Sequence, residues 1–255
     1  MNVLVANDDG IQSRGIYELV RALSEKATVY VCAPDGQRSA SGHGITVSSS
    51  ISVEEIEVPN ARMAFKISGT PADCVKLGMQ LMEERNIKIN MVYAGINHGG
   101  NLGTDTLYSG TVSAAIEGTI CGVPSVAVSV NSHEAEYFGF ACELALKVID
   151  NAYGRISSDT VININTPNLP PEKIKGVKYA SLGRREYKNE FKAPEECRNG
   201  KMIYRYGGEP VIYNGLPNTT DVIAMQEGYA TITPLHRDLT DYKLLDEIGN
   251  WRIEK

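Results

Sequence analysis

Apolar positions along this chain alternate between two spacings. Residues 2–6 form a nearly continuous apolar run that stops at Asn7, Asp8, Asp9 and Gly10. Ile16, Leu19, Val20 and Leu23 then recur at the spacing of one helix face. A second apolar run covers 28–33 and is stopped by Pro34, and the loop 35–44 after it is rich in Ser, Gly and Arg. Residues 45–58 alternate enough to predict a strand, as do 63–67. Pro71 suits the first turn of a helix whose face is Val75, Gly78, Met79 and Met82. Residues 91–94 predict another strand, and the glycine-rich run 95–103 follows it. Val112, Ala115, Ile116, Thr119 and Ile120 mark a helix, 125–130 a strand, and Phe138, Ala141, Cys142, Ala145, Leu146 and Ile149 a further helix. The last clear core strand is 161–164, ended by Asn165, Thr166 and Pro167.

Strand and helix alternating over 1–166 predict a mainly parallel sheet covered by helices on both faces, an α/β fold. Beyond Pro167 turn residues multiply, helical periodicity fades, and Tyr187, Phe191, Tyr204, Tyr206 and Tyr213 enter. The expectation is one domain over 1–255: an α/β core over 1–166, then C-terminal hairpins and extensions over 167–255 packed on it and suited to a subunit contact.

Composition narrows the class. A chain of 255 residues buries roughly three-quarters of its unfolded surface, so it needs neither disulfides nor structural metal for a core. The five cysteines are widely spaced with no Cys-x-x-Cys, which predicts reduced thiols. No apolar run approaches the roughly 20 residues of a membrane span, and no basic leader precedes the first strand, so the expected location is cytoplasmic. A net charge of −6 argues against binding a nucleic-acid polymer. It leaves small phosphorylated ligands open, since a few local donors hold those.

Candidate chemistry gathers where strands end. In an extended chain Asp8 and Asp9 point to opposite faces, so they share one ion only if the backbone turns there. Gly10 permits that turn. Two adjacent carboxylates repel and a cation relieves them; a solvated Asp-Asp-Gly turn is the alternative. In a parallel sheet three strand ends converge: Asp8 and Asp9, the loop 35–42 with Ser39 and Ser41, and the loop after Ala94 with Asn97 and Asn101. These are hard oxygen donors carrying about two negative charges, a set suited to Mg²⁺ or Mn²⁺; zinc favours His or Cys. Ser39 also reads as a loop hydroxyl and Asn97 as a turn residue. Ser109, Gly110 and Thr111 precede a helix face, where open N–H groups attract phosphate, or where Ser109 is an ordinary cap. His43 and His98 lie in these loops, as substrate contacts or as loop hydrogen-bonders; His133 and His236 read as structural.

In combination these segments resemble the SurE family of survival-protein nucleotidases. The matching pieces are 7–10, 33–35 with 38–42, 69–75, 95–99 with 101–103, 108–115 and 228–235. They stand in order from residue 1 to about 241. The resemblance implies a Rossmann-like three-layer core with a C-terminal arm used in dimer or tetramer formation. It implies one divalent cation per subunit on Asp8, Asp9, Ser39 and Asn97, and substrate phosphate on Asn101, Ser109, Gly110 and Thr111. The implied activity is dephosphorylation of nucleoside 5′- and 3′-monophosphates, with short polyphosphate a further substrate of some members. The chain departs from the family at Asn218, Thr219, Thr220 and Asp221, where Gly-Thr-Asp is frequent.

Asp8 is the expected catalytic residue, either orienting and deprotonating water or attacking phosphorus. Two rival readings stand beside this one. A Ca²⁺-dependent nucleoside N-ribohydrolase also carries N-terminal aspartates, but in a longer Asp-rich loop. A non-catalytic nucleotide-binding protein would keep the ion and the phosphate cradle.

Overall fold

The computed structural model describes residues 1–188, 191, 196–198, 201–211, 217 and 219–251, without the side chains of 196–198 and 209–210. Tyr213 and Asn218 lie outside the described residues.

The chain runs β1 (Asn2–Ala6), α1 (Arg14–Leu23), β2 (Thr28–Pro34), β3 (Val53–Ile56), β4 (Met63–Ile67), α2 (Pro71–Glu83), β5 (Met91–His98), α3 (Gly110–Ile120), β6 (Ser125–Val130), α4 (Gly139–Ala152) and β7 (Thr160–Thr166). It continues through β8 (Val177–Tyr179), β9 (Glu186–Lys188), β10 (Glu196–Arg198), β11 (Lys201–Ile203), β12 (Glu209–Val211), α5 (Asp221–Gln226), β13 (Ala230–His236) and α6 (Tyr242–Ile248).

One nine-stranded sheet has the order β3-β4-β2-β1-β5-β6-β7-β13-β8. The six strands from β4 to β7 are parallel, whereas β3 and β13 join their neighbours antiparallel. Strand side chains alternate between two apolar cores. Val3, Val5, Val29, Val31, Met91 and Tyr93 pack with α1 and α4. Leu4, Ala6, Tyr30, Cys32, Val92 and Ala94 pack with α2 and α3. Covering both faces is why these strands read as unbroken apolar runs. From β1 the chain first builds outward through β2 and then returns to place β5 on the other side, so the order reverses at β1. Open α/β sheets bind ligands beyond the strand ends at such a reversal.

Helix starts follow local chemistry. Ser13 caps α1 by accepting from Ile16 N–H, and Thr70 with Asp73 forms a reciprocal capping box on α2. Among the described residues no helix is long and apolar enough to cross a membrane. The cysteine side chains described, Cys32, Cys74, Cys121 and Cys142, are all free thiols.

Three stretches differ from expectation. Only Val53–Ile56 of the stretch 45–58 pairs as strand. Ile45 and Val47 are exposed, because the alternating pattern there has no neighbouring strand to cover it. The strand expected over 91–94 runs on to His98 through a register shift between Ala94 and Asn97. The sheet also does not stop at β7: the chain returns after the hairpins, and β13 inserts between β7 and β8.

Candidate active site

Asn7 sets the geometry at the end of β1. Its side-chain amide donates to the Gly10 carbonyl at 2.9 Å and to Ser13 Oγ at 2.8 Å, fixing a turn in which Gly10 adopts φ +95°. The chain leaves extended geometry as the paired aspartates require. Asp9 Oδ2 accepts from the His98 backbone N–H at 3.1 Å, which ties the end of β1 to the end of β5. Asp8 is buried, and its Oδ1 accepts the Thr111 hydroxyl from the first turn of α3. Burial pushes the Asp8 carboxyl up to about 6; the Thr111 hydrogen bond opposes that rise and the neighbouring Asp9 charge adds to it.

Gly110 explains how α3 comes this close. A Cβ on Gly110 would lie 2.7 Å from Asp8 Cβ and 2.9 Å from Asp8 Oδ2. Any side chain at that position would displace the carboxylate. Ser109 caps the helix, its Oγ accepting from Val112 N–H at 3.0 Å, so the first-turn N–H groups of Gly110 and Thr111 are left to partners outside the helix. Thr111 turns both its hydroxyl and its backbone N–H to the Asp8 carboxylate, so the first turn of α3 is bound to the end of β1.

Asn97 is nearly buried, and its Nδ2 donates to the Gly99 carbonyl at 2.7 Å. That bond fixes the amide orientation and leaves Oδ1 as the atom available to a cation. Asn101 sits in a web of other polar side chains. Asn165 Oδ1 accepts from its backbone N–H at 2.7 Å, and Asn163 and Asn165 donate to its carbonyl at 2.9 and 3.0 Å. Its own Nδ2 donates to Ser129 Oγ at 2.9 Å.

Ser39 is on the exposed loop after β2. The loop is pinned on both sides of it: Arg38 N–H donates to the Asp8 carbonyl at 2.7 Å, and Gly42 N–H donates to the Tyr108 carbonyl at 3.2 Å. These bonds tie the loop on either side of Ser39 to the end of β1 and to the residue before Ser109, and Ser39 Oγ accepts from Gln37 Nε2 at 2.9 Å. Ser41 lies on the same exposed stretch. His43 anchors the loop from further out, with Nε2 2.9 Å from Oε2 of Glu117; Lys76 Nζ reaches Oε1 of the same carboxylate at 2.6 Å. The hydrogen bond from His43, then that from Lys76, holds the buried Glu117 carboxyl below its usual range. His98 serves the site through its backbone, while its ring packs 5.4 Å from the Phe138 ring.

The residues fit a divalent cation. Asp8 is buried beside a second carboxylate with a hydroxyl as its side-chain partner, and the neighbouring donors are neutral oxygens. Among the described residues no group of three or more His, Cys, Asp or Glu side chains is arranged to hold a metal, so the fit rests on two carboxylates with Ser and Asn oxygens.

Sequence reasoning missed Ser129, Asn163, Asn165 and Glu117. A signal existed. Asn163 and Asn165 alternate with Ile162 and Ile164 inside a core strand, and a polar side chain in such a run needs a buried partner.

The family model described as Survival protein SurE matches residues 3–189. The chain is 44% identical over 249 residues to the 5′-nucleotidase SurE of Syntrophomonas wolfei subsp. wolfei, covering 97% of this chain and 93% of the relative. It is likewise 44% identical to the 5′-nucleotidase SurE of Pelotomaculum thermopropionicum, covering 97% and 94%. A crystal structure of the SurE protein from Aquifex aeolicus superimposes with a TM-score of 0.83 at 37% identity, over 98% of this chain and 99% of that one. Matched over most of its length in sequence and nearly all of it in fold, the chain belongs to the SurE family.

Proposed function

We propose that this chain is a metal-dependent phosphomonoesterase, converting nucleoside 5′- and 3′-monophosphates to nucleoside and phosphate with one Mg²⁺ or Mn²⁺ per subunit. The observation that carries the reading is the contact between Asp8 and Thr111. It joins a carboxylate pair suited to a cation directly to a helix N-terminus suited to phosphate. The curated relatives named 5′-nucleotidase support the substrate class.

Asp8, Asp9, Ser39 and Asn97 would hold the cation. When bound, it supplies polarisation of a phosphoryl oxygen and offsets charge that develops in the transition state. The N-terminal turn of α3 at Ser109, Gly110 and Thr111, with Asn101 beside it, takes the other phosphoryl oxygens. Asp8 is the group that orients the attacking water and accepts its proton. Asn7, Thr111 and the His98 backbone fix the carboxylates beforehand, so little reorganisation is left for the reaction.

The exposed aromatic and apolar side chains Phe191, Met202, Ile203, Tyr204 and Tyr206 support a second reading within this one: a second copy of the chain covers the arm in a dimer or tetramer. Light scattering on the purified protein measures that state directly.

The deciding assay follows phosphate release from AMP with Mn²⁺ or Mg²⁺, with and without chelator. Adenosine plus phosphate, lost on chelation, is the expected result, and 3′-AMP and short polyphosphate run in the same panel. Free adenine would point to an N-ribohydrolase instead. Nucleotide binding without turnover would leave only a binding protein.

A further inference from the structure

The segment 101–109 joins the two places assigned to the substrate phosphate, Asn101 at one end and the N-terminal turn of α3 at the other. The core holds both ends. Asn163 and Asn165 of β7 grip Asn101, and Ser109 caps α3. The middle of the segment is held by other residues, from the root of the C-terminal arm and from α5.

Asp221 is the centre of that hold. It is the first residue of α5 and is fully buried. Its Oδ2 accepts from the Gly103 N–H at 2.8 Å, and its Oδ1 accepts from the N–H groups of Gly183 and Val222 at 2.7 and 2.8 Å. Burial raises the Asp221 carboxyl, and the bonds from Gly103, Gly183 and Val222 oppose the rise. Around this carboxylate the contact is close. Leu102 packs with Val222 and Met225 in a small apolar cluster. Gly103 has φ +52°, and a Cβ there would lie 2.5 Å from the Gly183 carbonyl oxygen. The Thr104 hydroxyl donates to the Arg185 carbonyl and accepts from the Arg185 N–H. Asp105 accepts from Tyr187 Oη at 2.6 Å and pairs with Arg185 Nη1 at 3.0 Å. Every residue from Leu102 to Asp105 is thus fixed from outside the core.

A carboxylate suits this place because both of its oxygens face donors. An asparagine amide has one acceptor oxygen. If that oxygen serves Gly183 and Val222, the N–H2 group meets the Gly103 N–H, donor against donor. The apolar cluster alone would hold the segment against α5, but it would not fix where the Gly103 backbone lies. Resting on the phosphomonoesterase reading, we infer that Asp221 is a positioning residue for phosphate binding: it fastens Gly103 to the root of the arm and so holds Asn101 and Ser109 at the spacing a phosphate needs. The proposed cation ligands Asp8, Asp9, Ser39 and Asn97 lie outside the segment, and Asp8 keeps its own bond to Thr111. The arm is thereby linked to the phosphate and not to the cation.

The test uses the full chain with saturating Mn²⁺, well below the melting temperature of each variant. For Asp221→Asn, the inhibition constant of inorganic phosphate and the KM for AMP are expected to rise together by roughly fivefold, the scale of one lost hydrogen bond. Mn²⁺ affinity by calorimetry should stay parental, which a general loosening of the fold would not allow. Gly103→Ala pushes the same two backbones apart with Asp221 intact, and is expected to shift the same two constants. Lys178→Gln breaks an ion pair to Glu227 elsewhere on α5 and β8, and should leave both constants parental. Parental constants in Asp221→Asn and Gly103→Ala would overturn the assignment and leave the phosphomonoesterase reading intact. So would an equal rise in Lys178→Gln, or a loss of Mn²⁺ affinity in step with phosphate. A parent enzyme that neither hydrolyses AMP nor binds phosphate would overturn the phosphomonoesterase reading, and this inference with it.

Discussion

The two halves of the candidate site are held by different means. Asp8, Asn97, Asn101, Ser109 and Thr111 are buried, and each is fixed by a strand end or a helix start. Ser39 is exposed on a loop, held by contacts that lie to either side of it. The contrast teaches where precision comes from here. The carboxylates and the anion cradle inherit their positions from the sheet and α3, while Ser39 depends on the anchorage of one loop to Asp8, Tyr108 and Glu117.

Four experiments sharpen or break that contrast. The largest effect is expected for Asp8→Asn. Turnover should fall by at least about a hundredfold, the low end for losing a proton-transferring group. The metal-free protein should melt no lower than the parent, because burial already disfavours the Asp8 charge. Near-parental hydrolysis would remove Asp8 from the mechanism. Gly110→Ala comes next. Its methyl group must displace the Asp8 carboxylate or shift α3, so Mn²⁺ affinity by calorimetry and turnover should drop together. A fully active Gly110→Ala enzyme would show that the buried half is less rigid than its contacts indicate.

Asn165→Ala should have a smaller effect. It leaves the buried Asn101 N–H without its acceptor, at a cost of roughly 1–3 kcal/mol in stability. Competition by inorganic phosphate should weaken while Mn²⁺ affinity holds, since Asn101 is assigned to phosphate and not to the cation. The smallest effect is expected in the loop half. Glu117→Gln weakens the anchor of His43 and Lys76 and should raise KM modestly, with kcat nearly kept. The sign of its pH dependence follows from the lowered Glu117 carboxyl. The carboxylate contributes stability above the ordinary value of 4.5 and loses it as pH falls through the lower folded value. The gap in melting temperature between parent and Glu117→Gln should therefore be widest near neutrality and close in acid. If Glu117→Gln abolishes activity as Asp8→Asn does, the two halves are equally critical and the contrast fails.

Much of the core was legible because its signals are local. Continuous apolar runs marked β1, β2 and β6, and Pro71 marked the start of α2. The loop 45–52 misled because alternation indicates a strand only where another strand pairs with it. β13 escaped notice because residues 230–236 mix Thr with apolar residues, a pattern that fits a hairpin as well as a core strand. Asp221 also changes the view of the arm. Its buried carboxylate accepts from Gly103, Gly183 and Val222 N–H groups, stapling the phosphate-side loop to the arm and α5.

The sequence alone settled the α/β alternation, the strand-end position of Asp8 and Asp9, and the family, since periodicity and ordered motifs are properties of neighbouring residues. Folding alone decided that Thr111 gives its hydroxyl to Asp8 across 103 residues and that Asn165 grips Asn101 across 64. A hydroxyl or an amide carries no mark of its partner in its own surroundings. Its role is fixed only when the sheet has stacked distant strand ends side by side, and burial then obliges each polar group to pair with whatever lies within reach.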